Sequence, residues 1–267
     1  MVYLPKPWTL NQDVMESEYA IFDQTGKEHL LKVRLCVGLV ALLYEMLLVL
    51  EGDPLPEVYP VNNNERAQKW LMLVYSSSAF LYANTTLDLA VRGHYLEAES
   101  VLRSLLETVA FAEYFSKNRG QCLAFFSSGK GMPDVKRVFA FLSKHGQYPK
   151  AGPEKVIARF HASAHSNIHA RMRSWLLTDQ GGHFRGFKVH QYHSESFIRI
   201  AHHMVMPLLG CHQILFEAFE AKMAASREVR TKWNAGRPFD LIKEEFPDLW
   251  FVLADFAVVR PKQSNAP

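Results

Sequence analysis

The 267-residue chain is poor in cysteine: Cys36, Cys122 and Cys211 make an odd three, and no Cys-x-x-Cys pair occurs. That excludes a disulfide framework and a zinc knuckle, and predicts three reduced, buried thiols. A long unbroken apolar run is also missing. Residues 35–50 hold sixteen positions interrupted by Glu45, whereas a membrane span needs about twenty. A buried core helix is the expectation there. The first ten residues carry two prolines and no apolar stretch, so no secretory signal is expected and a cytoplasmic location is. Several motifs are absent too: the Gly-x-Ser-x-Gly elbow, the phosphate-binding glycine loop, the dinucleotide fingerprint and the kinase set.

What is present is apolar mass with helical periodicity. Apolar residues make up 48% and charged residues 21%, with mean hydropathy −0.10, enough for a sizeable core and too apolar for disorder. Helices are expected over 10–23, 28–51, 64–92, 94–117 and 134–144, then 153–177 and 194–225, with a short closing segment over 239–258. Gly26, Gly52, Pro54 and Gly93 punctuate the first half, and Asn64 is expected to cap its helix. Small residues at 76–79 suit close helix approach. Pro207 is expected to bend the last long helix. No alternation lasts long enough for a sheet. The fold class is therefore all-α, a bundle of about six to nine helices. One domain is expected over 1–258, with a core at 28–177, peripheral helices at 194–258 and a tail at 259–267.

Net charge is +3, yet it is unevenly spread. Residues 1–133 hold 11 Lys/Arg against 15 Asp/Glu, and residues 134–267 hold 19 against 12. Nine of the twelve histidines fall between His161 and His212. A pI near 8.7 is too mild to establish nucleic-acid binding, although the basic half permits it.

Residues 92–107, Arg-Gly-His-Tyr-Leu-Glu-Ala-Glu-Ser-Val-Leu-Arg-Ser-Leu-Leu-Glu, are the most distinctive text. They resemble a mostly bacterial all-helical family in which a small-residue turn precedes a Leu-Arg-Ser-Leu-Leu-Glu-like run. The stretch from Ala164 to His169 is loosely similar to that family's later histidine segment. The family looks related to HEPN-like bundles, and the resemblance covers about 84–169. It implies a HEPN-like core and, for some members, metal-independent ribonuclease or toxin and antiphage activity through Arg-x4–6-His. Arg159 to His165 has that spacing, with Phe160 where members carry a polar residue. Arg185 to His190 has it as well, in an expected loop.

Several constellations carry candidate chemistry. Glu99, Arg103 and Glu107 share one helix face at i, i+4 and i+8, as an anion site or as an ion-pair ladder fixing register; the ladder is the leading account. His161, His165 and His169 repeat that geometry. They suit a metal such as zinc or an acid–base role, while a solvated or interface row leads. No Glu-x-x-His occurs to support a di-metal bundle. His202 and His203, with Arg199 one turn before, suit a phosphate, and His212 can share the broad face of His202. Residues 181–193 interleave Arg185 and Lys188 with aromatics and histidines, a single-stranded-nucleic-acid pattern, a lid, or a solvated loop.

The leading expectation is a non-catalytic binding or regulatory bundle for an unspecified ligand, with no cofactor, no membrane and a homodimer suggested by its apolar helix faces. The alternatives are a ribonuclease acting on RNA through Arg159 and His165 or His169, and a metal-binding protein using the histidine row.

Overall fold

A computed structural model describes residues 7–51, 59–128, 133–144, 176–178, 184–187 and 192–226, with 229, 242, 244 and 245. Among the described residues eight α-helices dominate: α1 Pro7–Glu28, α2 Leu30–Leu50, α3 Asn64–Val91, α4 Tyr95–Lys117, α5 Cys122–Ser128, α6 Val135–Lys144, α7 Ser194–Ala218 and α8 Glu220–Ala225. The all-α class holds. Two short antiparallel strands, β1 Leu176–Thr178 and β2 Phe184–Phe187, add a small ribbon. The ribbon corrects the expectation that no sheet forms: residues 176–178, expected in a helix, are a strand, and part of the stretch 181–193, expected as a loop, is the second strand. The rest of the helix expected over 153–177 lies outside the described residues.

Helices α3, α4 and α7 pack on one another, with α3 and α4 the most extensive pair, and α2 packs on α7 and α3. The sequence explains the closeness of that pair. Ser76, Ala79, Ala83, Thr86 and Ala90 recur along α3 at alternating spacings of three and four, and all are buried. Ala98, Leu102, Leu105, Val109 and Ala112 do the same on α4. Small side chains on one helix receive larger ones from the other, a knobs-into-holes pattern. Arg92, Gly93 and His94 join the two helices. Gly93 sits at φ 89°, a left-handed conformation that costs glycine nothing. The amide of His94 donates to Leu89 O at 2.9 Å and that of Gly93 to Ala90 O at 3.2 Å, the two bonds of a Schellman turn. So short a connection makes the helices an antiparallel hairpin.

Helix α7 closes the core with Phe197, Ile200, Met204, Leu208 and Leu215, set against Leu35, Leu39, Leu43 and Met46 of α2. Burying each such side chain is worth about 1.5–3 kcal/mol. By length and composition α2 is able to cross a membrane, yet one face of it is core, and 44% of its apolar window is buried. Pro207 lies inside α7, which continues on both sides. Cys36, Cys122 and Cys211 are free and buried. Burial pushes the Cys36 and Cys211 thiols up to about 12, so both remain protonated and unreactive at neutral pH.

Local details moved. The cap of α3 is Asn63, whose side chain accepts from Arg66 N at 2.9 Å. Asn64 instead accepts from Leu123 N at 2.8 Å, tying α5 to the start of α3. Helix α1 runs through Gly26 and stops at His29, because a helical glycine costs about 1 kcal/mol without ending a helix. The long helix expected to reach residue 225 ends at Ala218, and Phe219 turns the chain into α8.

His212 is fully buried in α7 and its Nε2 donates to Leu39 O at 2.9 Å. Burial pushes its pKa down to about 4. The unfolded state therefore takes up a proton near pH 6.5 that the folded state refuses until about pH 4. Stability is full above that window and falls as pH drops through it, by about 1.4 kcal/mol per pH unit for one proton. Urea titrations between pH 7 and pH 4 should show this slope in the wild type and lose that share of it in His212→Gln. Equal slopes in the two proteins would refute the assignment.

Candidate functional site

One cluster of polar residues lies where the start of α7 meets the α1–α2 junction and the first turns of α4. Glu99 of α4 is only 7% exposed. A buried carboxylate needs a charged partner. Arg199, one and a half turns into α7, supplies it. Its Nε donates to Glu99 Oε1 at 3.0 Å, and its Nη2 donates to the same oxygen. Nη2 also reaches Ser196 Oγ at 3.4 Å, and Ser196 in turn contacts His193 Nδ1 at 3.2 Å.

Around this pair the chain is held by further bonds. The amide of His193 donates to the Tyr95 hydroxyl at 3.1 Å. His29, between α1 and α2, places Nε2 at 2.9 Å from Ser194 Oγ and stacks on Phe197 at 5.3 Å between ring centroids. Burial, followed by the neighbouring Lys32 charge, lowers the His29 pKa. The ring is therefore neutral at neutral pH and able to accept the Ser194 proton. A nucleophile–base pair needs the base oriented by a third group. Among the described residues no carboxylate hydrogen-bonds to the His29 ring, and its flat contact with Phe197 orients it as a packing group. Tyr192 donates to Glu28 Oε2 at 2.5 Å. Burial and that bond push the Tyr192 hydroxyl up to about 12, while the same bond lowers the Glu28 pKa.

The residues selected from sequence distribute as follows. The Glu99, Arg103 and Glu107 row divides: Arg103 Nε donates to Glu107 Oε1 at 2.7 Å, both side chains half-buried, whereas Glu99 turns to α7. Arg199 therefore meets a carboxylate in the bundle. The rings of His202 and His203 sit edge to face at 5.2 Å. His212 faces the core and the α2 backbone. Arg185 falls on the backbone of β2. Arg159, His161, His165, His169 and Lys188 lie outside the described residues. Among the described residues no three His, Cys, Asp or Glu side chains gather to hold a metal ion.

Sequence reasoning missed His29 and Tyr95, took Tyr192 only as part of the aromatic and basic stretch 181–193, and took Ser194 only as a helix start. No local spacing links residues 98 and 165 positions apart, so the sequence carried no signal for these pairings. A separate groove of about 280 Å3 is lined by Glu65, Gln68, Lys69, Arg119, Ile214 and Glu217, with Arg119 paired to Glu65. It contains none of the residues selected from sequence. Among known proteins, no family model, no curated protein and no solved structure matches this chain.

Removing one partner from a buried ion pair strands the other. Arg199→Ala, which strands the buried Glu99 carboxylate, should therefore destabilise the protein by about 3 kcal/mol in urea unfolding, and Arg103→Ala, which strands the half-buried Glu107, by about 1 kcal/mol or less. Equal losses would place the two pairs in the same environment and contradict the burial seen at Glu99.

Proposed function

We propose that this chain is a non-catalytic helical binding protein, a bundle that recognises a partner of unspecified identity through helix surfaces. One observation carries the reading: large apolar side chains remain on the outside of α1, α2 and α3. Met15, Tyr19 and Phe22 of α1 are exposed at i, i+4 and i+7, with Tyr19 at 74%. Leu30, Leu31, Val37, Tyr44 and Leu48 of α2 are exposed as well, as are Val74, Leu81 and Tyr82 of α3. Large apolar side chains left exposed in this number on three helices are the kind of surface that marks interaction sites.

The polar residues support the same reading from the other side. Glu99 and Arg199 bond to each other across α4 and α7, and His29 packs on Phe197. These groups hold helices together.

The ribonuclease alternative, implied by the HEPN-like resemblance and resting on Arg159 and His165 or His169, supplies the decisive test. Purified protein incubated with structured RNA in the presence of a metal chelator should leave the RNA intact on a denaturing gel. Cleavage that disappears in His165→Ala would replace the binding reading with the nuclease one.

A further inference from the structure

Helix α2 has two apolar faces; the described residues bury one of them, and of the other they contact Tyr44, which stacks on Phe80. Leu35, Cys36, Leu39, Leu42, Leu43 and Met46 are buried in the core. On the other side Arg34, Val37, Ala41, Tyr44, Leu48 and Glu51 are all exposed, with Val37 at 49%, Tyr44 at 47% and Leu48 at 41%. Their spacings are three, four, three, four and three. That is the a and d seam of a heptad repeat, the pattern by which one helix packs along another. Here it faces outward.

The two ends of the seam say what lies against it. Arg34 opens it and Glu51 closes it, and neither makes an ion pair among the described residues. Turned end for end on a copy of itself, the seam places each a position opposite a d position. Arg34 then meets Glu51 of the second copy, Val37 meets Leu48, and Ala41 meets Tyr44, each pairing occurring twice about a two-fold axis. A parallel alignment would oppose Arg34 to Arg34. We propose that this chain forms an antiparallel homodimer through the α2 seam, with small Ala41 receiving the Tyr44 ring and two Arg34–Glu51 pairs fixing the register.

The surface is large enough to support this. Tyr44 stacks on Phe80 of α3 at 5.2 Å, so the apolar area reaches α3 at Phe80. A helix of this length spans about 31 Å, and two helix widths give on the order of 600 Å2 for each partner. Standard interfaces bury about 800 Å2 for each partner. The inference stands on the α2 seam and its α3 neighbour Phe80: RNA cleavage would overturn the binding reading and leave the dimer standing, whereas a monomeric chain would remove the dimer and leave the other apolar surfaces.

Sedimentation equilibrium of the full chain at micromolar concentration reads the outcome. The wild type should be dimeric. Arg34→Glu and Glu51→Arg should each weaken the dimer by about tenfold, and the double variant should recover wild-type affinity, because the reversed pairs have the same geometry. Tyr44→Glu should be monomeric with an unchanged circular dichroism spectrum, since its side chain lies outside the core. A monomeric wild type overturns the proposal. So does a dimer that the single charge reversals leave unaffected, or one that the double variant fails to restore. Flotation of a monomeric wild type with phosphatidylglycerol vesicles would assign the seam to a lipid surface instead.

Discussion

Close approach of α3 and α4 is the constraint on which the rest of the bundle depends. Ser76, Ala79, Ala83, Thr86 and Ala90 leave room along one face of α3, and α4 fills it with Leu102, Leu105 and Val109. Bulkier residues on α3 would separate the two helices, and α7, which packs on both, would lose its seat. A packed interior transmits such shifts, because it behaves more like an organic crystal than an oil. The Gly93 turn serves the same requirement. It reverses the chain quickly enough that the two seams meet in register from their first turns.

That close packing explains where charge is placed. An ion pair inside a bundle contributes little net stability, because desolvation offsets attraction. What it supplies is geometry. The Arg199 guanidinium fixes the azimuth of α7 against α4 in a way that interchangeable aliphatic contacts do not. The bonds of Ser194 and His193 to His29 and Tyr95 extend that control over the first turn of α7. Read this way, the polar cluster is an alignment device at the place where three separate parts of the chain converge.

How much of this was legible in the sequence depends on range. The positions of α2, α3, α4 and α6 were legible to within a few residues, because Gly93, the Asn62–Asn64 loop and the 3.6-residue rhythm act locally. The Arg103–Glu107 pair was legible for the same reason, being four residues apart on one helix. The partner of Glu99 was not, because Arg199 lies one hundred residues away and only the packing of α7 brings it near. His212 looked like a surface companion of His202. Its ten-residue separation leaves helix phase ambiguous, and the choice between core and surface was made by what α7 met, the carbonyl of Leu39. Asn63 took the cap from Asn64 because Asn64 was needed by α5, a tertiary demand that no local pattern records.

Helix α2 shows where the same logic turns outward. Its composition suggested a helix wrapped on all sides, since apolar residues cover nearly its whole circumference. Within the described chain the core takes only one arc. A sequence free to drift would place charges on the opposite arc, as solubility favours. Instead that arc holds valine, alanine, tyrosine and leucine between one cation and one anion, in heptad spacing. Burial within the described chain accounts for Leu35, Leu39 and Leu43 and a stack on Phe80 for part of Tyr44, but neither accounts for Val37 and Leu48. The outer arc follows the same packing rule as the inner one, and the rule requires a second helix.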